Sequence, residues 1–268
     1  MSTILVCIHG WGGSKESFND LRKALDGSGI EILTPDLPGF GLEPDPPRPW
    51  TNDDYADWVT EWIEHAQPAT SNQQPATIHL LGHSHGGRIA IKLAHRQSTK
   101  NQKPAVRGPD GPSGPERETR NLTISHLYLC AAAGIPHPPT LKETLGLMAA
   151  KTGKTFLSIP GLRRLQSPAR TILYKLLGVH DYERASPLMK ETLKLVTDED
   201  LTPLLRSINV PTDIFWGRND TMTPFSDALI MEREIRGSTL HPFDNVRHRI
   251  HRDKAKEIAE VIRGRMNA

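Results

Sequence analysis

The stretch Thr77-Ile78-His79-Leu80-Leu81-Gly82-His83-Ser84-His85-Gly86-Gly87-Arg88-Ile89-Ala90-Ile91-Lys92-Leu93-Ala94 decides how this chain is read. An apolar run of strand character enters a serine flanked by glycines, and a helix-forming run leaves it. Gly82, Ser84 and Gly86 match G-x-S-x-G. The string alone is weak, but its chemistry needs a strand that turns sharply into a helix, so that the serine oxygen projects above a sheet. The neighbours of such a serine must be nearly free of side chains, and Gly82, Gly86 and Gly87 meet that need. The competing reading is a glycine turn that opens a helix, for instance around an anion. The flanking strand and helix favour the serine as a nucleophile.

Working outward, strand-like runs alternate with helical ones, which predicts a mostly parallel sheet covered by helices. Strands are expected at Thr3–His9, Glu31–Thr34, Thr77–Leu81, Ile124–Ala132, Thr212–Trp216 and Ser238–Phe243. Helices are expected at about Lys15–Leu25, Asp53–His65, from the elbow to Arg96, and Lys254–Arg263. Pro44 to Pro49 cannot be helical, and Thr51 with Asp54 resembles a capping box at the start of the next helix. Tyr55, Trp58, Val59 and Trp62 give that helix an apolar face. Residues 97–121 are polar, rich in Pro and Gly and without periodicity, so they read as an exposed loop insertion. From Gly134 to about Thr202 the strands stop, with helical patterns near Leu141–Ala150, Ala169–Leu177 and Leu188–Val196.

A serine hydroxyl needs a general base, and the base needs an acid that orients it. Asp220 follows the strand-like Ile214-Phe215-Trp216-Gly217, and His248 lies between the last strand and the last helix. Both fall at the C-terminal ends of strands, the rim where parallel sheets gather their sites. Taken by itself Asp220 reads more readily as a turn aspartate before Thr221, and His251 is the alternative base. His241 falls inside a strand and reads as a packing or surface residue. An oxyanion needs two backbone donors; the N–H of His85 and that of Trp11, in His9-Gly10-Trp11-Gly12-Gly13, are the candidates. His83-x-His85, with His9, could chelate a metal, but zinc needs three or four ligands and the remaining spacing is wrong. His83 is expected to pack under the elbow, and no metal or cofactor is assigned.

Lys and Arg number 33 against 31 Asp and Glu, so no basic excess points to nucleic acid. No apolar run is long enough for a membrane span, and the N-terminal apolar stretch lacks the basic flank of a signal peptide. Cys7 and Cys130 sit in apolar runs and read as core residues, which with the rest suggests a cytoplasmic protein.

Together His9-Gly10-Trp11-Gly12-Gly13, Pro35-Asp36-Leu37-Pro38-Gly39-Phe40-Gly41, Gly82-His83-Ser84-His85-Gly86-Gly87 and Trp216-Gly217-Arg218-Asn219-Asp220 resemble the α/β-hydrolase superfamily, in its cap-bearing carboxylesterase and C–C hydrolase branch. The likeness spans nearly the whole chain. It implies a core at 1–133 and 203–268, a helical cap at 134–202, and a sheet of about six strands without the usual N-terminal hairpin. Departures are Arg247 before His248, where glycine is usual, and the polar His85 after the serine. The resemblance implies a serine hydrolase, carboxylesterase-like, that cleaves an ester or related acyl bond of a small to medium apolar substrate through acyl-Ser84. C–C hydrolysis, acyl transfer, or ligand binding with vestigial hydrolysis remain open on the same triad. Ser rather than Asp at the elbow argues against dehalogenase and epoxide-hydrolase chemistry. The cap segment carries Leu141, Leu145, Leu147, Met148, Phe156, Leu157, Ile172, Leu173, Tyr174, Leu176 and Leu177; most must pack the cap onto the core, and some could line an apolar acyl pocket.

Overall fold

The structure, a computed structural model, describes residues 3–66, 77–100, 123–137 and 185–266. Its centre is a six-stranded sheet of β1 (Thr3–Ile8), β2 (Ile30–Leu33), β3 (Thr77–His83), β4 (Thr123–Cys130), β5 (Thr212–Gly217) and β6 (Thr239–Phe243). The order is β2-β1-β3-β4-β5-β6 and every pair is parallel. The chain leaves β1 toward β2, then returns to the other side of β1 as β3. That reversal opens a crevice between the C-terminal ends of β1 and β3.

Around the sheet lie a 3-10 turn (Lys15–Phe18), α1 (Asn19–Ala24), α2 (Asn52–Ala66), α3 (His85–Lys100), α4 (Pro187–Asp198), α5 (Thr202–Leu205), α6 (Phe225–Glu234), α7 (Ile250–Asp253) and α8 (Ala255–Met266). The expected helix at 15–25 thus begins as a tighter 3-10 turn. The helix after the elbow runs past Arg96 to Lys100, so residues 97–100 belong to it. Gln97 explains the extension: its amide donates to the Ile124 carbonyl (2.9 Å) and accepts from the Ile124 N–H (2.6 Å). Its side chain continues the β4 ladder where a neighbouring strand would. Residues 101–121 of the expected insertion, and the expected helices at 141–150 and 169–177, lie outside the described residues.

The start of α2 forms as its sequence requires. Thr51 Oγ1 accepts from the Asp54 N–H (3.2 Å) and the Asp54 carboxylate accepts from the Thr51 N–H (2.8 Å), which satisfies donors that a helix start leaves free. Tyr55 and Val59 then bury completely, and the Tyr55 hydroxyl donates to the Pro38 carbonyl, tying α2 to the loop after β2.

Beneath α8 the sheet carries a polar stripe. Register aligns His79 with His126 and Tyr128 with Asp213, so these side chains share one face. Asp213 is fully buried and bonds His126 Nε2 (2.7 Å), His241 Nε2 (2.7 Å) and Arg265 Nε (2.9 Å). Burial alone would raise its pKa, but these donors outweigh it and hold the carboxyl well below the usual range. A folded-state pKa below the unfolded one means that this stability is present above about pH 4 and is lost as pH falls further. Asp213→Asn should therefore cost about 3 kcal/mol in urea unfolding at pH 7, because three donors lose their anion. The gap between variant and wild type should narrow toward pH 3; a gap that stays constant with pH would remove the ionic explanation.

Candidate active site

Ser84 occupies the single residue between β3 and α3 with φ 52°, a left-handed backbone in a residue that has a Cβ. Such a conformation costs on the order of 1–3 kcal/mol and persists only where its surroundings impose it. Here they do. The Ser84 N–H donates to the Cys130 carbonyl (3.2 Å), and its own carbonyl accepts from Gly87 (2.9 Å) and Ala133 (3.0 Å). A Cβ at Gly86 would collide with the Ile8 carbonyl, so only glycine lets α3 start this close to β1.

Asp220 follows β5 and His248 follows β6, and their side chains meet: His248 Nδ1 lies 2.8 Å from Asp220 Oδ2. The other carboxylate oxygen accepts from the Met222 N–H (2.8 Å) and the Thr223 N–H (3.1 Å). Burial would raise the Asp220 pKa, but His248 and these backbone and hydroxyl donors lower it overall. An ionised acceptor at Nδ1 assigns the ring proton there and leaves Nε2 with its lone pair. Ser84 and His248 line one cavity of about 550 Å³, with Trp11, His85 and Thr223 also in its wall. Ser84 Oγ and His248 Nε2 form no direct hydrogen bond, although both residues face the same cavity.

His251 is not brought to Asp220. It is buried, its ring centroid is 3.8 Å from that of His83, and Nδ1 has no partner among the described residues. Burial, then the Arg252 and His248 charges, push its pKa down to about 3. His83 does more than pack: its Nε2–H donates to the His248 carbonyl (3.0 Å) and ties the elbow to the loop that carries the imidazole. Burial and the neighbouring histidines keep it well below the ordinary value and therefore neutral.

The His85 ring turns the other way, edge-on to Trp11 (5.5 Å) and Tyr55 (5.0 Å), and burial lowers its pKa to about 3. His9 is spent on structure, its Nδ1 on the Gly10 carbonyl and its Nε2 accepting from Leu37 N–H. The three histidines weighed as metal ligands thus point into different surroundings. The backbone N–H groups of Trp11 and His85 have no acceptor among the described residues.

Thr223 was not singled out in the sequence. Its hydroxyl donates to Asp220 Oδ2 (2.8 Å), lies 3.2 Å from His248 Nδ1 and 3.3 Å from the Ala131 carbonyl. A threonine shortly after the loop aspartate was the only available signal.

With this geometry in view, similarity to known proteins is informative. A family profile described as the alpha/beta hydrolase family matches residues 5–261, and the chain belongs to that family. A pimeloyl-[acyl-carrier protein] methyl ester esterase of Neisseria meningitidis serogroup C is 28% identical over 262 residues, covering 96% of this chain and 90% of the relative. The AB hydrolase superfamily protein YisY of Bacillus subtilis is 26% identical, covering 96% and 89%. Among solved structures, an esterase from Exiguobacterium antarcticum superposes with a TM-score of 0.65 at 21% identity, covering 99% and 92% of the two chains, which speaks for the fold.

If the Thr223 hydroxyl fixes the carboxylate–imidazole pair, Thr223→Val should slow labelling of Ser84 by a fluorophosphonate about fivefold, equivalent to roughly 1 kcal/mol. Thr223→Ser should restore it. Unchanged labelling in the valine variant would show the hydroxyl to be idle.

Proposed function

We propose that this protein is a serine esterase that cleaves a carboxylic ester through an acyl-Ser84 intermediate, with His248 as general base and acid and Asp220 as its orienting anion. The observation that carries this reading is the Asp220–His248 bond of 2.8 Å on the wall of the cavity into which the strained Ser84 opens. His248 Nε2 takes the Ser84 proton as Oγ attacks the ester carbonyl. The C–O bond to the alcohol then breaks, and the imidazolium returns that proton to the departing alkoxide. A water, deprotonated by the same nitrogen, attacks the acyl carbon and releases the carboxylic acid and Ser84. The Trp11 and His85 N–H groups are the donors available to the oxyanion in both steps, and they supply stabilisation where charge develops. The names of the relatives, which specify a methyl ester esterase, support an ester as the bond cleaved.

Residues 134–202 are proposed as a cap over this site. The support is α4, whose Leu193, Val196 and Thr197 line the cavity and whose Val196 carbonyl is held by Asn52. Ile135 and Met222 add apolar wall, which suits a small to medium acyl group. Among the described residues no helix is long and apolar enough to cross a membrane. The buried, unpaired Cys7 and Cys130 fit a reducing, cytoplasmic setting.

The test is hydrolysis of p-nitrophenyl esters over a series of acyl lengths. Wild type should show a length optimum, and Ser84→Ala should lower kcat by about 10⁴-fold or more. Near-normal turnover in the alanine variant would sink the acyl-serine mechanism. A folded wild type inert toward every ester would shift the reading to C–C substrates.

A further inference from the structure

The cavity wall holds a second imidazole–carboxylate pair that the proposed reaction does not use. Asp227, on α6, has a side chain only 2% exposed, and its Oδ1 lies 2.7 Å from His137 Nε2. His137 leaves the segment after β4 with its side chain 41% exposed, and both residues line the same cavity as Ser84. Burial raises the Asp227 pKa; His137 and Ser226 counter it, and the nearby Asp220 charge adds to it. Burying the Asp227 carboxylate against a half-exposed imidazole seldom repays its desolvation as a stability device. Perturbed carboxylates in a cleft instead mark positions where a ligand is met.

The geometry fixes what the imidazole has left to offer. Asp227 occupies Nε2, so Nδ1 is the free nitrogen, and no described residue bonds it. Protonated and backed by Asp227, the ring presents an Nδ1–H to an anion; neutral, it presents a lone pair to a hydroxyl. The rest of the wall decides between these. Among the described residues, Arg88, Arg249 and Arg252 line the cavity without an ion-pair partner, and Asp227 is the one carboxylate in its wall. Arg88 is 6% exposed, donates to the Glu199 carbonyl (3.0 Å), and is driven by burial to a pKa of about 10 although Glu199 and Asp200 pull the other way. A positive wall favours an anionic guest, which a protonated ring would meet with its Nδ1–H.

We propose that His137, anchored by Asp227, receives a carboxylate carried by the substrate, so that the preferred substrates are esters with a free carboxylate at their far end. This rests on the esterase reading for the word substrate, but its test reads binding without turnover. Ser84→Ala protein would be titrated calorimetrically with monomethyl adipate, dimethyl adipate and methyl 6-hydroxyhexanoate. The half-ester should bind roughly tenfold more tightly than either neutral ester, as expected of one charge-assisted hydrogen bond. That preference should disappear in Ser84→Ala/His137→Gln, whose melting curve establishes that it is folded. Equal binding of the three esters, tighter binding of the hydroxy ester, no binding of the half-ester, or a preference that survives His137→Gln would each overturn the proposal. Failure of the esterase reading would appear elsewhere, as absent turnover of simple p-nitrophenyl esters.

Discussion

Steric exclusion at the first turn of α3 is the constraint on which the rest of the site depends. Gly86 sits against the Ile8 carbonyl, so the helix begins almost in contact with the end of β1. That contact brings the loop carrying Trp11 beside the serine, with Gly10 so close that a Cβ there would lie about 3 Å from the His83 and Ser84 side chains. It also leaves Ser84 no room for ordinary backbone geometry. The left-handed turn is the outcome of two close-packed backbones rather than of any preference of serine. A similar device recurs at Gly217, where a Cβ would strike the Val246 carbonyl, and this brings the loops that carry Asp220 and His248 together.

Histidine chemistry in the site is governed by burial. His83, His85 and His251 are all held neutral by desolvation, and the neighbouring His251 and His248 lower His83 further. His248 differs in having an ionised carboxylate at Nδ1. The surroundings therefore set apart four imidazoles within one region: three are fixed as neutral packing or hydrogen-bonding groups, and the fourth, held by a carboxylate, lines the cavity with Ser84. Arg247, standing where a glycine was expected, is exposed and does not disturb this arrangement.

Much of the fold was legible in the sequence because it is written in local alternation. All six strands, the non-helical Pro44–Pro49 stretch and the Thr51–Asp54 cap appear where the pattern placed them. Errors fell at boundaries: β4 ends at Cys130 because Ala131 turns left-handed, and α3 outlasts its apolar pattern through Gln97. Ser84, Asp220 and His248 could be nominated from motifs at strand ends. The choice of His248 over His251 as the partner of Asp220 needed the fold, since both lie in one short segment. Asp213 with His126, His241 and Arg265, Thr223 with Ala131, and Asp227 with His137 were not legible at all. Each joins residues far apart in the chain, and a polar residue in an apolar strand gives no sign of its partner.

The Asp213 stripe lies in the early part of the strands, under α8, whereas the serine, carboxylate and imidazole all hang from the strands' far ends. These two buried carboxylates thus serve separate places, Asp213 fastening the C-terminal helix and Asp220 standing at the proposed active site. Sequence drift at the fastening place changes how long the protein survives, while drift at the other changes what it accepts. The two properties can accordingly be altered one at a time, and a lineage could acquire a new substrate without first having to rebuild its scaffold.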